Sequence, residues 1–368
     1  MDFFREVEKN GHEQVVFCSD KKSNLRAIIA IHNTTLGSAL GGTRMWTYGS
    51  DGDALTDALR LSRGMTYKAA VAGLNLGGGK AVIIADPNRD KTEALFRTYG
   101  RFVEGLAGRY ITAEDVGTTV QDMEFVRMET KYVTGIDRAL GGGGDPSPVT
   151  AYGVYHGMKA CMKEVTGSDS LRGKKIAVQG MGNVASTLCD HLAKEGARLF
   201  VTDIYPNKAK LVIERTKAKF VEPEKIYDVG AEIFCPCALG GIINDKTIPR
   251  LKVDIVAGGA NNQLADEKKH GSMLQKRKIL FAPDYAINAG GLMSVAAELE
   301  GYLPERAMKQ AEGIYDTLLK IFQIAKSEEI LTFEASNHLA EERIGQIGHI
   351  RRLYAGKSEF DGQLAKFS

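Results

Sequence analysis

The stretch KIAVQGMGNVA, residues Lys175–Ala185, decides the fold. Its first five residues are typical of a short buried strand, and they run directly into a G-x-G-x-x-A pattern formed by Gly180, Gly182 and Ala185. The first glycine permits a tight turn, the second lets a pyrophosphate approach the backbone, and the small third residue lets a helix pack on the strand. A helical pattern follows and ends before Gly196. The motif therefore predicts a dinucleotide site with phosphate bound at a helix N-terminus.

An acidic residue at the end of the next apolar run supports this interpretation. Asp203 closes the run RLFVTD and lies 21 residues beyond Gly182. A carboxylate at this distance accepts hydrogen bonds from the adenosine ribose hydroxyls, and it would repel a 2′-phosphate. The spacing favours NAD over NADP as the cofactor. The alternative interpretation is a tight turn followed by an acid that caps a helix.

From Gly173 onward, short apolar runs alternate with helical segments, and the runs are KIAVQ, RLFVTD, EIFCPC, VDIVAG and ILFAPD. This alternation predicts a parallel, doubly wound sheet. Ligands of open α/β sheets bind beyond the carboxyl ends of the strands. The loops Cys237–Leu239, Ala260–Asn262 and Pro283–Asp284 are therefore candidates for contact with the ribose and nicotinamide.

The run GGGGDPSP, residues 141–148, is the strongest interruption in the chain, because four glycines and two prolines cannot continue a helix or a central strand. We place a hinge there. Before it, residues 15–18, 27–32, 81–85 and 109–113 are predicted strands, residues 52–70 and 93–106 are predicted helices, and residues 34–45 are interpreted as a glycine-punctuated stretch. A long helical segment, 151–165, follows it, and the chain is predicted to be helical from about Pro304.

Composition excludes several classes of protein. The 48 basic and 46 acidic residues leave a net charge of only +2, which argues against a dedicated nucleic-acid binder. Five scattered cysteines do not form a disulfide framework, Cys235 and Cys237 lack the second pair that a zinc site needs, and the seven histidines show no metal-ligand spacing. We therefore expect no metal. No signal peptide or apolar run long enough to span a bilayer is recognised, so a cytoplasmic protein is expected.

Two lysines and one aspartate in the first part of the chain are candidates for chemistry. Met65 and Lys68 share one face of a predicted helix, which would put a cation at the edge of an apolar wall. Lys80 follows three glycines and precedes a buried strand, and Asp115 follows another strand. A lysine that is partly desolvated near a second cation has a lowered pKa, which suits a general base. The alternative is that such lysines are ordinary surface charges.

Taken together, these residues resemble the glutamate/leucine/phenylalanine/valine dehydrogenase superfamily, and its leucine dehydrogenase branch most closely. The matching stretches are LGGTRMW, GMTYKAAVAGLNLGGGKAVI, RYITAEDVGTT, PSPVTAYGVY, AVQGMGNVA, CPCALG, ANNQL and APDYAINAGG. The resemblance implies an α/β fold of two domains with a cleft between them. An N-terminal substrate domain with a mixed sheet (1–147, also used for oligomerisation) would precede a Rossmann-like NAD domain (148–330), and C-terminal helices (331–368) would return to the first domain.

The resemblance also implies roles for individual residues. Lys68 would grip the substrate carboxylate, Lys80 would be the catalytic lysine, and Asp115 would move protons to and from the amine. Gly41 and Gly42 would lie beside the substrate, and Thr150 and Asn262 near the nicotinamide. The predicted cofactor-binding residues are Thr150, Gly180, Met181, Gly182, Asn183, Val184, Asp203, Cys237, Ala238, Ala260, Asn262 and Asn288. The implied reaction is reversible, NAD-dependent oxidative deamination of L-leucine and other branched-chain L-amino acids by a homo-oligomer, an octamer in this branch.

Substrate choice depends on a side-chain pocket that the resemblance places at Leu40, Met65, Ala113, Leu292 and Val295. All are neutral and apolar. In the glutamate branch the positions matching Leu40 and Val295 are lysine and serine, which bind the distal carboxylate. Burying that carboxylate without them would be costly, so glutamate is disfavoured. Removing one methylene changes binding by roughly 1–3 kcal/mol, so leucine, isoleucine and valine should all react.

Two departures from the leucine branch concern the substrate ranking: Gly79 stands where alanine is common, and Leu292 where valine is common. A third, the Gly141–Gly144 run, concerns the hinge. Two other functions remain open at this point. One is a dehydrogenase of the same superfamily that acts on phenylalanine or another larger aromatic or acidic amino acid. The other is a nucleotide-sensing regulator that has lost catalysis, which the presence of Lys80 and Asp115 disfavours.

Overall fold

The computed structural model describes residues 2–350. In this range the strands are β1 Gln14–Asp20, β2 Leu25–Asn33, β3 Ala39–Trp46, β4 Gly77–Ile84, β5 Tyr110–Glu114, β6 Lys175–Gln179, β7 Arg198–Thr202, β8 Lys219–Phe220, β9 Ile233–Pro236, β10 Ile255–Val256 and β11 Leu280–Phe281. The helices are α1 Phe3–Asn10, α2 Asp51–Val71, α3 Glu93–Glu104, α4 Val120–Arg127, α5 Ser147–Thr166, α6 Asn183–Glu195, α7 Pro206–Thr216, α8 Glu267–Lys276, α9 Asp284–Ile287, α10 Gly290–Glu298, α11 Pro304–Glu312, α12 Ile314–Ser327 and α13 Thr332–Ile350.

The first five strands form a mixed sheet in the order β1-β2-β4-β3-β5. Strands β1, β2 and β4 pair antiparallel, whereas β3 lies parallel to both β4 and β5. Alternate residues of a strand point to opposite faces, and both faces are covered here. Ile29 and Ile31 pack in one apolar cluster with Phe96 of α3, and Ile28 packs in another with Leu55 of α2.

The other six strands form a wholly parallel sheet in the order β11-β10-β9-β6-β7-β8. The chain adds β7 and β8 on one side of β6 and then continues with β9, β10 and β11 on the other side. The topological switch point therefore lies between β6 and β9. In open α/β sheets ligands bind in the crevice at this point. The predicted doubly wound sheet is confirmed, and its switch point lies at the G-x-G-x-x-A motif.

The glycine-rich stretches of the first sheet differ from the sequence interpretation. Residues 34–45 were interpreted as a glycine-punctuated stretch, but they include most of strand β3, and β4 begins at Gly77 rather than near residue 81. A Cβ on Gly41 would lie 1.7 Å from the carbonyl oxygen of Gly79. These glycines therefore serve close packing of adjacent strands. Helix α4 and the two-residue strand β8 were also not predicted.

The chain between Leu140 and Ser147 has no regular structure, as the glycine run predicts. Gly141 and Gly144 have φ values of 94° and 71°, in the left-handed region that favours glycine. The predicted domain boundary at 147/148 falls in the first turn of α5, where Pro148 is tolerated because an early helical N–H needs no partner within the helix.

The last helix lies against the first part of the chain. The guanidinium of Arg343 on α13 donates to the carbonyl oxygens of Gly73 and Leu74, at 3.1 and 2.6 Å, and to Oδ1 of Asn75 at 2.9 Å. These acceptors directly follow α2, which carries Lys68. Of the segment 331–368 that was expected to return to the first domain, residues 351–368 lie outside the described residues. Across residues 2–350, no helix has the length and apolar character of a membrane span.

Candidate active site

A lysine and an aspartate from two strands of the mixed sheet meet in a short ion pair. Lys80 lies within β4 and Asp115 directly follows β5, and the Lys80 Nζ is 2.5 Å from Oδ2 of Asp115. Strand β3 separates β4 from β5 and contributes glycine at the closest approach. A Cβ on Gly42 would lie 2.4 Å from the carbonyl oxygen of Glu114 and 2.9 Å from the Cβ of Asp115. A side chain at Gly42 would therefore displace the aspartate.

Burial controls the protonation of this pair. The Lys80 side chain is only 7% exposed, and burial lowers the pKa of its ammonium while the neighbouring Asp115 opposes that shift. Burial alone would raise the pKa of the Asp115 carboxyl, but the Lys80 charge and hydrogen bond, together with the charge of Arg44, bring this pKa below its ordinary value. The pair thus combines a lysine that loses its proton more readily than usual with a carboxylate that stays ionised.

The second lysine lies at the boundary between the two parts of the chain. Lys68, in the last turn of α2, donates a 2.7 Å hydrogen bond from Nζ to Oδ1 of Asn288, which follows α9. Burial lowers the pKa of Lys68 to about 8; nearby Asp284 opposes the shift, and Lys80 adds to it. Since Lys80 and Lys68 influence each other electrostatically, the structure brings both predicted lysines into one site.

Apolar side chains line the region beside these lysines. Leu40 and Leu292 are buried members of one hydrophobic cluster, against which Met65 and Val295 pack. Ala113 pairs with Gly42 across β3 and β5 and is also buried. Four of the predicted pocket residues thus belong to or pack against one hydrophobic cluster, and Ala113 lies on the neighbouring strand β5. Their contact with a substrate side chain stays a prediction.

The dinucleotide motif has the geometry that a pyrophosphate requires. Gly180 has a φ of 90°, and a Cβ there would lie 2.7 Å from the Cβ of Ala238, so the turn admits only glycine. A Cβ on Gly182 would meet nothing within 4 Å, which leaves open space in front of α6. No side chain caps the N-terminus of α6 at Asn183, so its first N–H groups remain available to an anion. The residues present therefore fit a bound dinucleotide.

Asp203 lies against this turn. Its Oδ2 accepts a 2.7 Å hydrogen bond from the backbone N–H of Met181, and its Oδ1 accepts one of 2.7 Å from the N–H of Tyr205. The carboxylate is therefore held at the edge of the glycine turn. Val184 and Cys237, which were also predicted to bind the cofactor, lie on either side of Gly259. A Cβ on Gly259 would lie 3.1 Å from the Val184 side chain and 3.5 Å from the Cys237 Sγ.

The remaining predicted cofactor residues lie around the carboxyl edge of the parallel sheet. Ala260 and Asn262 follow β10, and Thr150, in the first turn of α5, donates to the carbonyl of Pro146. Asn288 donates to Oδ1 of Asn261 at 2.7 Å while accepting from Lys68, so it connects the predicted cofactor loop with the predicted carboxylate site. These positions agree with the expected surface, and the cofactor contacts themselves stay predictions.

The loop at Pro283–Asp284, a candidate for contact with ribose or nicotinamide, also lies near Lys68. The oxygens of Asp284 accept hydrogen bonds from the backbone N–H groups of Gln263 and Tyr285, at 2.9 and 2.7 Å. Burial raises its pKa, which these hydrogen bonds and the charge of Lys68 oppose. Asp284 and Lys68 therefore stabilise each other's charged forms.

Sequence reasoning missed Arg44, which contacts Asp115 from β3. The available signal was a single charged residue in the otherwise apolar and small-residue stretch LGGTRMW. Across residues 2–350, no group of three or more histidine, cysteine, aspartate or glutamate side chains is arranged to hold a metal ion.

Comparison with known families accounts for this arrangement. A model described as "Glu/Leu/Phe/Val dehydrogenase, dimerisation domain" matches residues 12–132. A second, described as "Glutamate/Leucine/Phenylalanine/Valine dehydrogenase", matches residues 141–205 and 200–331. The chain belongs to the Glu/Leu/Phe/Val dehydrogenase family. The resemblance inferred from the sequence motifs is thereby confirmed. Lys68 and Lys80 lie in the first matched region, and the G-x-G-x-x-A turn lies in the second.

Individual members of the Glu/Leu/Phe/Val dehydrogenase family match over nearly the whole chain. The leucine dehydrogenase of Thermoactinomyces intermedius is 60% identical over 354 residues, 96% of each chain. The phenylalanine dehydrogenase of Caldalkalibacillus thermarum is 48% identical over 349 residues, 94% of each chain. The crystal structure of L-tryptophan dehydrogenase from Nostoc punctiforme superposes with a TM-score of 0.85 at 51% identity, covering 94% of this chain and 99% of that one. The predicted two-domain α/β fold is confirmed.

Proposed function

We propose that this chain catalyses the reversible, NAD-dependent oxidative deamination of L-leucine and other branched-chain L-amino acids to 2-oxo acids and ammonia. The observation that carries the proposal is the buried Lys80–Asp115 pair, 2.5 Å long, in the same site as Lys68. An α-amino acid presents a carboxylate, an amine and a reactive C–H bond. The site offers a cation for the first, a base and a carboxylate for the second, and an apolar surface for the side chain.

Similarity supports the choice among substrates. Leucine dehydrogenases from several bacteria are 56–61% identical to this chain, whereas the phenylalanine dehydrogenase is 48% identical. The predicted pocket residues also support an aliphatic side chain, because Leu40, Leu292 and Val295 contribute only hydrocarbon groups. Neither cation nor hydroxyl is present at the positions that would hold a distal carboxylate.

Lys68 is suited to orient the substrate. Its ammonium would bind the substrate carboxylate as a charge-assisted pair, and Asn288 would hold that ammonium in place. When the carboxylate is fixed at one end of the substrate and the aliphatic side chain at the other, the α-carbon can adopt only one orientation in the site. Such positioning supplies a large share of the rate in reactions of this kind.

NAD, held by the glycine turn and Asp203, would supply the acceptor for the hydride that leaves the α-carbon. Asp115 would take a proton from the substrate ammonium before this loss. Lys80, whose pKa burial lowers, would then take a proton from a water molecule as the water oxygen adds to the α-carbon of the iminium, and would pass that proton to solvent. Asp115 would return its proton to the nitrogen and Lys80 would take the hydroxyl proton as the C=O bond forms and the C–N bond breaks, so that ammonia and the 2-oxo acid leave.

Initial rates of NADH formation test the proposal, with leucine, isoleucine, valine, phenylalanine, tryptophan and glutamate offered separately and NADP as the alternative cofactor. We expect turnover of the three aliphatic amino acids with NAD and its loss in Lys80→Ala. Lys91→Ala is a matched control, because Lys91 forms an equally short pair with Asp122. Preference for an aromatic substrate would retain the reaction class and reject the pocket interpretation. Turnover with no amino acid would favour the nucleotide-sensing regulator.

The same proposal includes a homo-oligomer, and by family resemblance an octamer. Large apolar side chains at the surface of the first part of the chain support it: Phe4, Phe17 and Trp46 are 83%, 57% and 50% exposed. The model that matches residues 12–132 is described as a dimerisation domain. Light scattering coupled to size-exclusion chromatography gives the subunit count, and a monomer of 40.0 kDa would reject this part of the proposal.

A cytoplasmic location is the last part of the proposal. All five cysteines are free in the structure, and four of them are buried. Free thiols persist where glutathione and thioredoxin keep them reduced. Fractionation of the native cell, followed by immunodetection, tests this location.

A further inference from the structure

A guanidinium contacts the same aspartate oxygen as the catalytic lysine. The Nε of Arg44, on β3, lies 3.3 Å from Oδ2 of Asp115, and Lys80 contacts that oxygen at 2.5 Å. On its other side the Arg44 Nη1 donates a 2.8 Å hydrogen bond to Oδ2 of Asp57, on α2. The Arg44 side chain is 23% exposed and that of Asp57 is 15% exposed. Four charged groups thus form one partly buried row.

We propose that Arg44 is a positioning residue for the deamination: its guanidinium holds the Asp115 carboxylate ionised and directed at Lys80 when the substrate arrives and Lys80 has given up its proton. The inference rests on the proposed function, since it concerns the same site. The three contacts of Arg44, Lys80, Asp115 and Asp57 given above support it.

The physical reason is the difference between the two cations. Lys80 must be neutral for part of the reaction if it is to act as a base, and during that time its charge no longer stabilises Asp115. A buried carboxylate without a compensating charge takes up a proton instead. Arginine remains protonated at every working pH. Arg44 therefore supplies the permanent charge that keeps Asp115 ionised until it takes a proton from the substrate ammonium, and that favours its return to the carboxylate afterwards.

Asp57 has a separate part in this arrangement, because it fixes the direction of the guanidinium. Its Oδ2 also accepts a 2.8 Å hydrogen bond from the Tyr48 hydroxyl, and its Oδ1 lies 3.3 Å from Nη2 of Arg60. With Nη1 held by Asp57, the Nε edge of Arg44 remains directed at Asp115. The charged and titratable groups that interact with Asp115 are Lys80 from β4, Arg44 from β3, Glu114 and Tyr110 from β5, and Tyr48. Asp57 interacts with Arg44 and Lys80.

If Arg44 had only a structural role, it would do no more than connect β3 with α2. The test therefore needs a measurement that the loss of such a connection would not change. We would compare Arg44→Met and Arg44→Lys with Arg60→Met, which removes a 62% exposed arginine from the same Asp57. For each variant kcat and kcat/KM for leucine are measured from pH 6 to 10, with KM for NAD and the Tm.

We expect Arg44→Met to lower kcat about 10- to 100-fold, which is within the rate contribution of one acid–base group. We also expect the acidic limb of the pH profile to shift to higher pH. The KM for NAD should stay unchanged. Arg44→Lys should return the acidic limb toward its original position, because it restores the charge. Asp57→Asn should lower kcat without that upward move, because it loosens the guanidinium and leaves its charge.

The inference would be overturned if the acidic limb of the pH profile lay at the same pH in Arg44→Met and in Arg60→Met. It would also be overturned if Arg60→Met lowered kcat as much as Arg44→Met does. If Arg44→Met does not fold, Arg44→Lys and Asp57→Asn test the inference instead. The inference then fails if Asp57→Asn retains the kcat of the unmodified protein. Absence of turnover in the unmodified protein with every amino acid would instead reject the proposed function, so the two failures are distinguishable.

Discussion

The Lys68 ammonium on α2 donates a 2.7 Å hydrogen bond to Oδ1 of Asn288, 220 residues further along the chain. The part of the chain that carries the mixed sheet and the part that carries the parallel sheet are therefore in contact at the group proposed to bind the substrate carboxylate. Asn288 also donates to Asn261 in the predicted cofactor loop. One amide thus connects the lysine that would hold the amino acid with the loop that would lie near the nicotinamide.

Carboxylate binding should weaken as pH rises through about 8. Burial lowers the pKa of Lys68 to about 8, so the free enzyme loses this positive charge above that pH. A carboxylate inhibitor without an amine, such as 4-methylpentanoate, isolates the effect from Lys80. Its inhibition constant should be constant below pH 7 and rise about tenfold for each pH unit well above 8. In Lys68→Arg the rise should disappear, because arginine keeps its charge. An inhibition constant that does not change between pH 7 and 9.5 would contradict the assignment.

Removing the Asp203 charge should relax the choice between NAD and NADP. Asp203 is held at the glycine turn by the N–H groups of Met181 and Tyr205, where it would accept the ribose hydroxyls. In Asp203→Ser we expect the ratio of kcat/KM for NAD over NADP to fall at least about tenfold, equivalent to about 1.4 kcal/mol. Asp190→Asn, an exposed carboxylate paired with Arg215 on the same side of the sheet, serves as the control. An unchanged ratio would mean that the carboxylate does not face the ribose.

Two substitutions should introduce activity toward glutamate. Leu40 is buried, and it shares a cluster with Val295. The double variant Leu40→Lys, Val295→Ser would supply a cation and a hydroxyl to a distal carboxylate and remove apolar contacts from leucine. The ratio of kcat/KM for glutamate over leucine should rise at least about 100-fold, the equivalent of about 2.7 kcal/mol. Thermal melting verifies folding. If leucine turnover falls and the glutamate rate stays at background, the two residues do not line the pocket.

Gly79 should not tolerate the alanine that is common in the leucine branch, because a Cβ there would lie 2.6 Å from the ring of Tyr110. That ring is fully buried, and its hydroxyl donates to the carbonyl of Gly41. We expect Gly79→Ala to lower the free energy of unfolding by about 1–3 kcal/mol, and to lower it less in a Tyr110→Val background. Gly64→Ala in α2, where a Cβ meets nothing within 4 Å, should instead be neutral or stabilising by up to about 1 kcal/mol. Equal effects at the two glycines in urea unfolding would contradict this account.

The first sheet shows where prediction from sequence was limited. Glycine runs usually mark turns, so residues 34–45 and 77–79 were assigned outside strands, although residues 39–45 belong to β3 and residues 77–79 to β4. The strands lie so close that Gly41 and Gly79 have no room for a Cβ. A local pattern does not distinguish a glycine needed for a turn from one needed for close approach, because the second depends on a neighbouring strand that is distant in sequence.

The sequence by itself determined the fold class, the family and the identity of the predicted site residues, because the G-x-G-x-x-A turn and the lysine motifs are short, local patterns tied to particular chemistry. Only the tertiary structure decided which of these residues meet. Lys80 and Asp115 are 35 positions apart, and Lys68 and Asn288 are 220 apart. Arg44 contacts Asp115 from a strand that was interpreted only as a glycine-punctuated stretch. Burial, shared hydrogen bonds and neighbouring charges arise from packing between distant segments. These determine which lysine loses its proton and which carboxylate keeps its charge.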